Sequence, residues 1–224
     1  KNLEMMESFT IYEAYQKPDD ASYSSNEGYG RAHRWQYKFK DGSSKEFLIS
    51  VGDYHPDYVK RYYQCLDHNN SNYRQFIRND PFKATIRNLA QSLRQCAAQN
   101  GIPEVSFALQ FVQSLPYNKN MESYQSYAYE TAYFMNGDCS DKSVLFVAIC
   151  AYFGYSAIFL EFPGHLAIGV LSCPPYPAGT YWPFNGGRYY YCETTSPASR
   201  IGQCPDAYKS SNAQVDEVFP YDVW

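Results

Sequence analysis

The sequence predicts an α+β fold in which a central apolar helix packs on an antiparallel sheet. Three observations predict it. Apolar residues recur at helical spacing through residues 86–115. The run 144–153 is apolar on every side and has helical length, which marks a buried helix. Behind it stand short apolar and aromatic runs at 155–162, 166–171 and 188–194, broken by Pro and Gly, which read as strands. Helices first and strands later is the order of an α+β domain rather than of alternating βαβ units.

Taken from the N-terminus, residues 1 to about 30 are polar and rich in Ser, Tyr and Asp, and read as an arm. Gly28 and Gly30 lack the strand–turn–helix context of a phosphate loop. Residues 34–39 alternate polar and aromatic, Asp41-Gly42 supplies a turn, and 46–51 returns as a second strand, which predicts a β-hairpin. Tyr54, Tyr58, Tyr62 and Tyr63 recur at helical spacing and predict a short helix. Asp80-Pro81 reads as N-cap and first residue of a helix carrying Ile86, Leu89, Ala90, Leu93 and Ala97, which Asn100-Gly101 ends. A further helix starts at Pro103-Glu104, sets Val105, Leu109, Val112 and Leu115 on one face, and stops at Pro116.

The polar, Tyr-rich stretch 117–136 reads as a long loop that could wall a cleft. Residues 173–187 read as a second loop, rich in Pro and Gly. The expected division is an N-terminal extension with the hairpin (1–80) packed on the core, a core (81–204) and a loosely attached tail (205–224).

At 224 residues the chain is long enough to bury a sizeable core. A net charge of −4 argues against nucleic acid as partner and gives no sign of an anionic-membrane anchor. No apolar run is long enough to span a bilayer. The chain begins with Lys1 rather than Met, so a removed secretory or lipoprotein leader, and with it an extracytoplasmic location, is favoured over a cytoplasmic one. The 24 tyrosines lie mostly outside apolar runs, so many are expected half-exposed, as in a cleft for peptide or sugar; a compositional habit of the source explains them equally well. Seven cysteines show no CxxC pair and no zinc spacing. Cys65, Cys96, Cys150, Cys173, Cys192 and Cys204 are expected as free buried thiols, with room for one bridged pair.

Cys139 differs from the other six. It follows the turn Asn136-Gly137-Asp138 and opens the apolar run, which sets it at a helix N-terminus. Unpaired N–H groups and the positive end of the dipole favour a thiolate there. Downstream, His165 lies in Pro163-Gly164-His165-Leu166-Ala167-Ile168 and Glu193 ends the run Tyr189-Tyr190-Tyr191-Cys192-Glu193. A cysteine, a histidine and a carboxylate in this order are the parts of an activated-nucleophile triad. Each also has a plainer reading: a core thiol, a core histidine bonded to backbone, and a solvated glutamate at a strand end. Strand parity puts Tyr191 and Glu193 on one face and Cys192 on the other. Asp141, in the first helical turn, is expected to stabilise the helix start rather than to act in chemistry.

These segments resemble the transglutaminase-like superfamily, a branch of the papain-like thiol enzymes, in its bacterial and archaeal form. Its members carry the cysteine in a Gly-Asp-Cys-x-Asp turn, the histidine in a Gly-His strand and the acid in a strand ending Glu/Asp-x-Thr. Residues 137–141, 164–165 and 193–195 match these, and 111–117 is similar to the helix end that precedes the active-site loop. Many members have Asp where this chain has Glu193. The resemblance spans residues 105–203 and implies a papain-like core. It further implies a cysteine peptidase or amidase, with Cys139, His165 and Glu193 as catalytic residues and transamidation as a variant outcome. Gln113, Tyr117 and Trp182 are the candidate side-chain donors to an oxyanion, beside the N–H of Cys139. No metal or organic cofactor is implied. A peptide or protein, cell-wall peptide included, is the expected partner. The alternative is a module of the same fold that binds peptide or glycan without turnover.

Overall fold

The computed structural model describes residues 30–118, 124–171, 179–209 and 211–218. The expected N-terminal arm and Cys173 lie outside the described residues. Residues 53–66 belong to a unit separate from residues 31–52 and 67 onward, so a boundary at residue 80 does not follow this division. In the first unit the helix α1, Pro56–Tyr63, starts with Pro in its first turn, and His55 accepts the N–H of Asp57 at its N-terminus. Tyr58 lies against Tyr54 and Tyr62, with ring centroids 6.0 and 6.1 Å apart.

The second unit is a mixture of helices and antiparallel sheet. It opens with the predicted hairpin, β1 (Arg31–Lys38) and β2 (Ser44–Gly52), paired from Arg31↔Gly52 to Lys38↔Ser44. Alternation turns Trp35, Tyr37, Phe47 and Ile49 inward. Next come α2 (Gln75–Arg78), which the sequence did not predict, α3 (Lys83–Gln99) and α4 (Glu104–Ser114). Phe107 of α4 meets Trp35 and Phe47 at ring distances of 5.0 and 4.8 Å. The Gln110 amide exchanges hydrogen bonds with both backbone groups of Lys38, at 2.8 and 3.0 Å.

Asp80 does not cap a helix beginning at Pro81. Its carboxylate accepts the N–H of Phe82 at 2.9 Å and of Tyr129 at 2.7 Å, and α3 starts at Lys83. At the other end Gly101 adopts φ 63°, the left-handed conformation that a glycine stop supplies. The stretch 117–136 is not one loop. It contains α5 (Ala128–Phe134), in which Ala128, Tyr129, Ala132 and Tyr133 are buried.

The central helix α6, Cys139–Tyr152, is buried on all sides from Asp141 to Ala151. It packs on α3, α4 and α5 and on the sheet. That sheet has five strands in the order β5-β6-β4-β3-β7: β3 (Ala157–Phe162), β4 (His165–Leu171), β5 (Tyr181–Phe184), β6 (Gly187–Cys192) and β7 (Gln214–Val218). All its pairings are antiparallel. Strand β5 falls inside the expected loop 173–187; as an edge strand it tolerates Pro183. The C-terminal stretch is no loose tail either. After the turn α7 (Asp206–Lys209) it returns as β7 and pairs with β3 from Ala157↔Val218 to Glu161↔Gln214. Among the described residues no helix is long and apolar enough to cross a membrane.

Candidate active site

The start of α6 is built by two carboxylates that cap one another. Asp138 accepts the N–H groups of Ser140 and Asp141 at 2.9 and 3.2 Å and the Ser140 hydroxyl at 2.7 Å. Asp141 returns the bond by accepting the N–H of Asp138 at 3.1 Å, which completes a capping box. Its other oxygen accepts the Gln125 amide at 2.9 Å and the N–H of Ser126 at 2.8 Å. Burial, with Asp138 adding its charge, pushes the Asp141 carboxyl up to about 7 against the pull of those donors. Gly137 lies directly over it: a Cβ there would stand 2.7 Å from the Asp141 Cβ. This pins the turn, and Cys139 follows as the first, half-buried residue of α6.

His165 opens β4, and β6 delivers Glu193 just past its end. The imidazole Nε2 lies 2.9 Å from Glu193 Oε2, which leaves Nδ1 free of that bond. Glu193 is buried and its carboxylate is fully engaged. Tyr191 donates its hydroxyl to the same oxygen at 2.8 Å, and Thr195 donates N–H and hydroxyl to the other at 3.0 and 2.6 Å. Burial pushes Glu193 up, but the bonds from His165 and Thr195 outweigh it and hold the carboxyl down to about 2. Burial likewise pulls His165 down, while the bonds to Cys139 and Glu193 and their charges carry it to about 9. At neutral pH the pair is therefore an imidazolium facing a carboxylate. Tyr208 of α7 stacks on the ring, with centroids 5.1 Å apart and planes 15° from parallel.

Cys139, from α6, thus stands near enough to the His165–Glu193 pair, from β4 and the end of β6, to help raise the imidazole's pKa. Gln113 does something other than expected. Its amide nitrogen donates to the carbonyls of Glu193 and Ser199 at 2.7 and 2.9 Å, and its oxygen accepts the N–H of Ala198 at 3.1 Å. Both donor hydrogens are committed to holding the turn after Glu193, so none remains for an oxyanion. The Trp182 indole packs against Phe162 and Tyr191, 5.7 and 5.8 Å away, in an apolar cluster. Tyr117 is exposed; partial desolvation, with the charges of Cys139 and Asp138, raises its pKa. Tyr73, for which the sequence predicts no role, also senses the Cys139 charge. Burial, then the charges of Glu161, Cys139 and Asp138, push its phenol up to about 12, and its ring rests on Phe159 at 5.2 Å. Its neighbour Arg74 is ion-paired with Asp216 of β7.

The other described cysteines are free. Cys150, Cys192 and Cys204 are buried as expected, whereas Cys65 is exposed and Cys96 half-buried. Among the described residues no group of three His, Cys, Asp or Glu is placed to hold a metal. Among the described tyrosines Tyr63, Tyr129, Tyr133 and Tyr191 are fully buried, whereas Tyr58, Tyr62, Tyr73, Tyr124 and Tyr208 are half-buried.

The chain matches no family model and no curated protein. A solved structure from Cytophaga hutchinsonii, described as a "putative cysteine protease", aligns with 84% of this chain and 73% of its own, at 10% identity and a TM-score of 0.33. A likeness of that size carries no argument about the site, which rests on its own geometry.

Proposed function

We propose that the protein is a thiol hydrolase acting on amide bonds of a peptide or protein, built on a transglutaminase-like core. The observation that supports this reading is the bond between His165 and the buried, four-donor carboxylate of Glu193, with Cys139 near enough to help raise the imidazole's pKa. In the resting pair His165 already holds the proton that the thiol has given up, as the imidazolium that Glu193 stabilises, so Cys139 stands as the thiolate. The thiolate attacks the carbonyl carbon, and the C–N bond then breaks as the imidazolium gives its proton to the departing amine. This leaves an acyl-thioester. Water, deprotonated by the neutral imidazole, attacks the thioester and releases the acid and the thiol; an amine in place of water completes a transamidation.

The oxyanion meets the N–H of Cys139, which as the first helical residue has no intrahelical acceptor. The hydroxyls of Tyr117 and Tyr73, whose pKa values the Cys139 charge helps to raise, are the candidate side-chain donors. Iodoacetamide at a pH near 6, followed by peptide mapping, tests it. Cys139 is expected to label ahead of the exposed Cys65, and His165→Ala is expected to slow it. Labelling of Cys139 no faster than of Cys65 would remove the enzyme and leave a binding module.

A further inference from the structure

Lys142 is the one buried cation of α6, with a relative exposure of 1%. Its hydrogen-bond partner among the described residues is the carbonyl of Gln113, 3.5 Å away and longer than a good N–H···O bond. A charge so poorly satisfied is costly to bury unless other charges compensate it. Its neighbours along the helix, Ser143 to Ala151, are small or apolar, so an apolar side chain would suit the packing.

The position supplies the compensation. Lys142 comes three residues after Cys139, on the same side of the helix, and helical side chains lean towards the N-terminus. Its ammonium is held against the Gln113 carbonyl and within reach of the Glu193 charge, on the side of α6 that opens with Cys139. Glu193 is the charge that favours its protonated form, against burial that pulls its pKa down to about 8. The groups that face this turn are Asp138 and Asp141 from α6 itself, His165 from β4, Glu193 after β6, and the phenols Tyr73 and Tyr117. With Cys139 ionised, the triad alone would bury one net negative charge, and the ammonium cancels it. With Cys139 as a thiol, the same set would carry a net positive charge.

We propose that Lys142 is a positioning residue for the thiolate: its buried ammonium balances the charge of the Cys139–His165–Glu193 line and holds Cys139 ionised in mildly acidic solution. This rests on the reading of Cys139 as nucleophile. Gln113 links the two halves of the device. Its side chain fixes the Glu193 turn while its own carbonyl receives the ammonium.

The test is the iodoacetamide labelling rate of Cys139 in the full chain between pH 4 and 8, for the wild type, Lys142→Met and Lys142→Arg. In Lys142→Met the acid limb is expected to move up by about one pH unit, so labelling on that limb slows about tenfold while the plateau is kept. Lys142→Arg, which keeps the charge, is expected to restore the limb. A folded Lys142→Met with the wild-type limb would overturn the proposal while leaving Cys139 as nucleophile. A wild-type Cys139 no more reactive than Cys65 would overturn both. Should Lys142→Met not fold, Lys142→Gln replaces it, since its amide can still meet the Gln113 carbonyl. Failure of both to fold would assign the ammonium to stability alone and overturn the proposal.

Discussion

At the scale of single residues the chemistry turns on one carboxylate. Glu193 accepts four donors, and only one of them belongs to His165. Those bonds keep it ionised without solvent, so the imidazole sees a full negative charge in a dry place. Replacing Glu193 by Gln keeps the shape and removes the charge. The His165 midpoint, read by NMR titration of the imidazole, is then expected to fall from about 9 towards 6.5. Alkylation of Cys139 at pH 6 is expected to slow roughly tenfold, less than in His165→Ala, because orientation is damaged and the base is kept. The same pair couples stability to pH. The raised His165 contributes fully below about 6.5 and loses its contribution as pH rises through about 9. The depressed Glu193 contributes fully above about 4.5 and loses it as pH falls through about 2. The fall in melting temperature caused by Glu193→Gln should therefore be largest near pH 5 to 6 and shrink above pH 9. An effect that stays constant across that range would show that the pair does not carry it.

At the scale of elements, the entry to α6 is the part that tolerates least change. Gly137 passes over Asp141 so closely that a methyl group must displace either the turn or the capping carboxylate. Gly137→Ala is expected to cost about 1–3 kcal/mol in urea denaturation, as overpacking does, and to slow Cys139 alkylation along with it. Full stability in that variant would mean that the turn yields without strain. The same turn was legible in the sequence because its signals are local: a glycine, a capping Asp, then an unbroken apolar run. The hairpin, α3, α4 and the paired strands β3 and β4 were legible for the same reason, each having its own period. Elements whose residues answer to distant partners were not. In α5 the tyrosines look like surface groups, yet Tyr129 and Tyr133 are buried and Glu130 closes the capping box with Tyr127. Strands β5 and β7 are short edges without an apolar run, visible only once β6 and β3 stand beside them. The roles of Gln113 and Lys142 were hidden likewise, because they depend on backbone carbonyls brought from far along the chain.

At the scale of the whole second unit, the C-terminal stretch completes what the central helix and sheet begin. The proposed Cys–His–Glu line needs three elements to converge, and the sheet order sets β4, which opens with His165, beside β6, which leads to Glu193. Beyond Cys204 the chain crosses the open face of His165, where Tyr208 lies flat on the imidazole and also meets Phe162, with ring centroids 4.7 Å apart. It then adds β7 to the edge of β3, and Asp216 pairs with Arg74. An aromatic ring over an imidazolium excludes water from the His165–Glu193 bond and offers its negative face to the cation. Tyr208→Phe keeps that ring and is expected to leave the His165 midpoint near the wild-type value of about 9. Tyr208→Ala removes the ring's attraction for the imidazolium and lets water screen the Glu193 charge; with these outweighing the relief of burial, the midpoint should fall and alkylation of Cys139 at pH 6 should slow several-fold. Hydrogen exchange at β7 separates this from simple loss of structure. Protection that persists in Tyr208→Ala, together with a lowered midpoint, would assign the effect to the stacked ring. Lost protection would instead assign it to release of the β7 edge, and an unchanged midpoint would deny the ring any part in the chemistry.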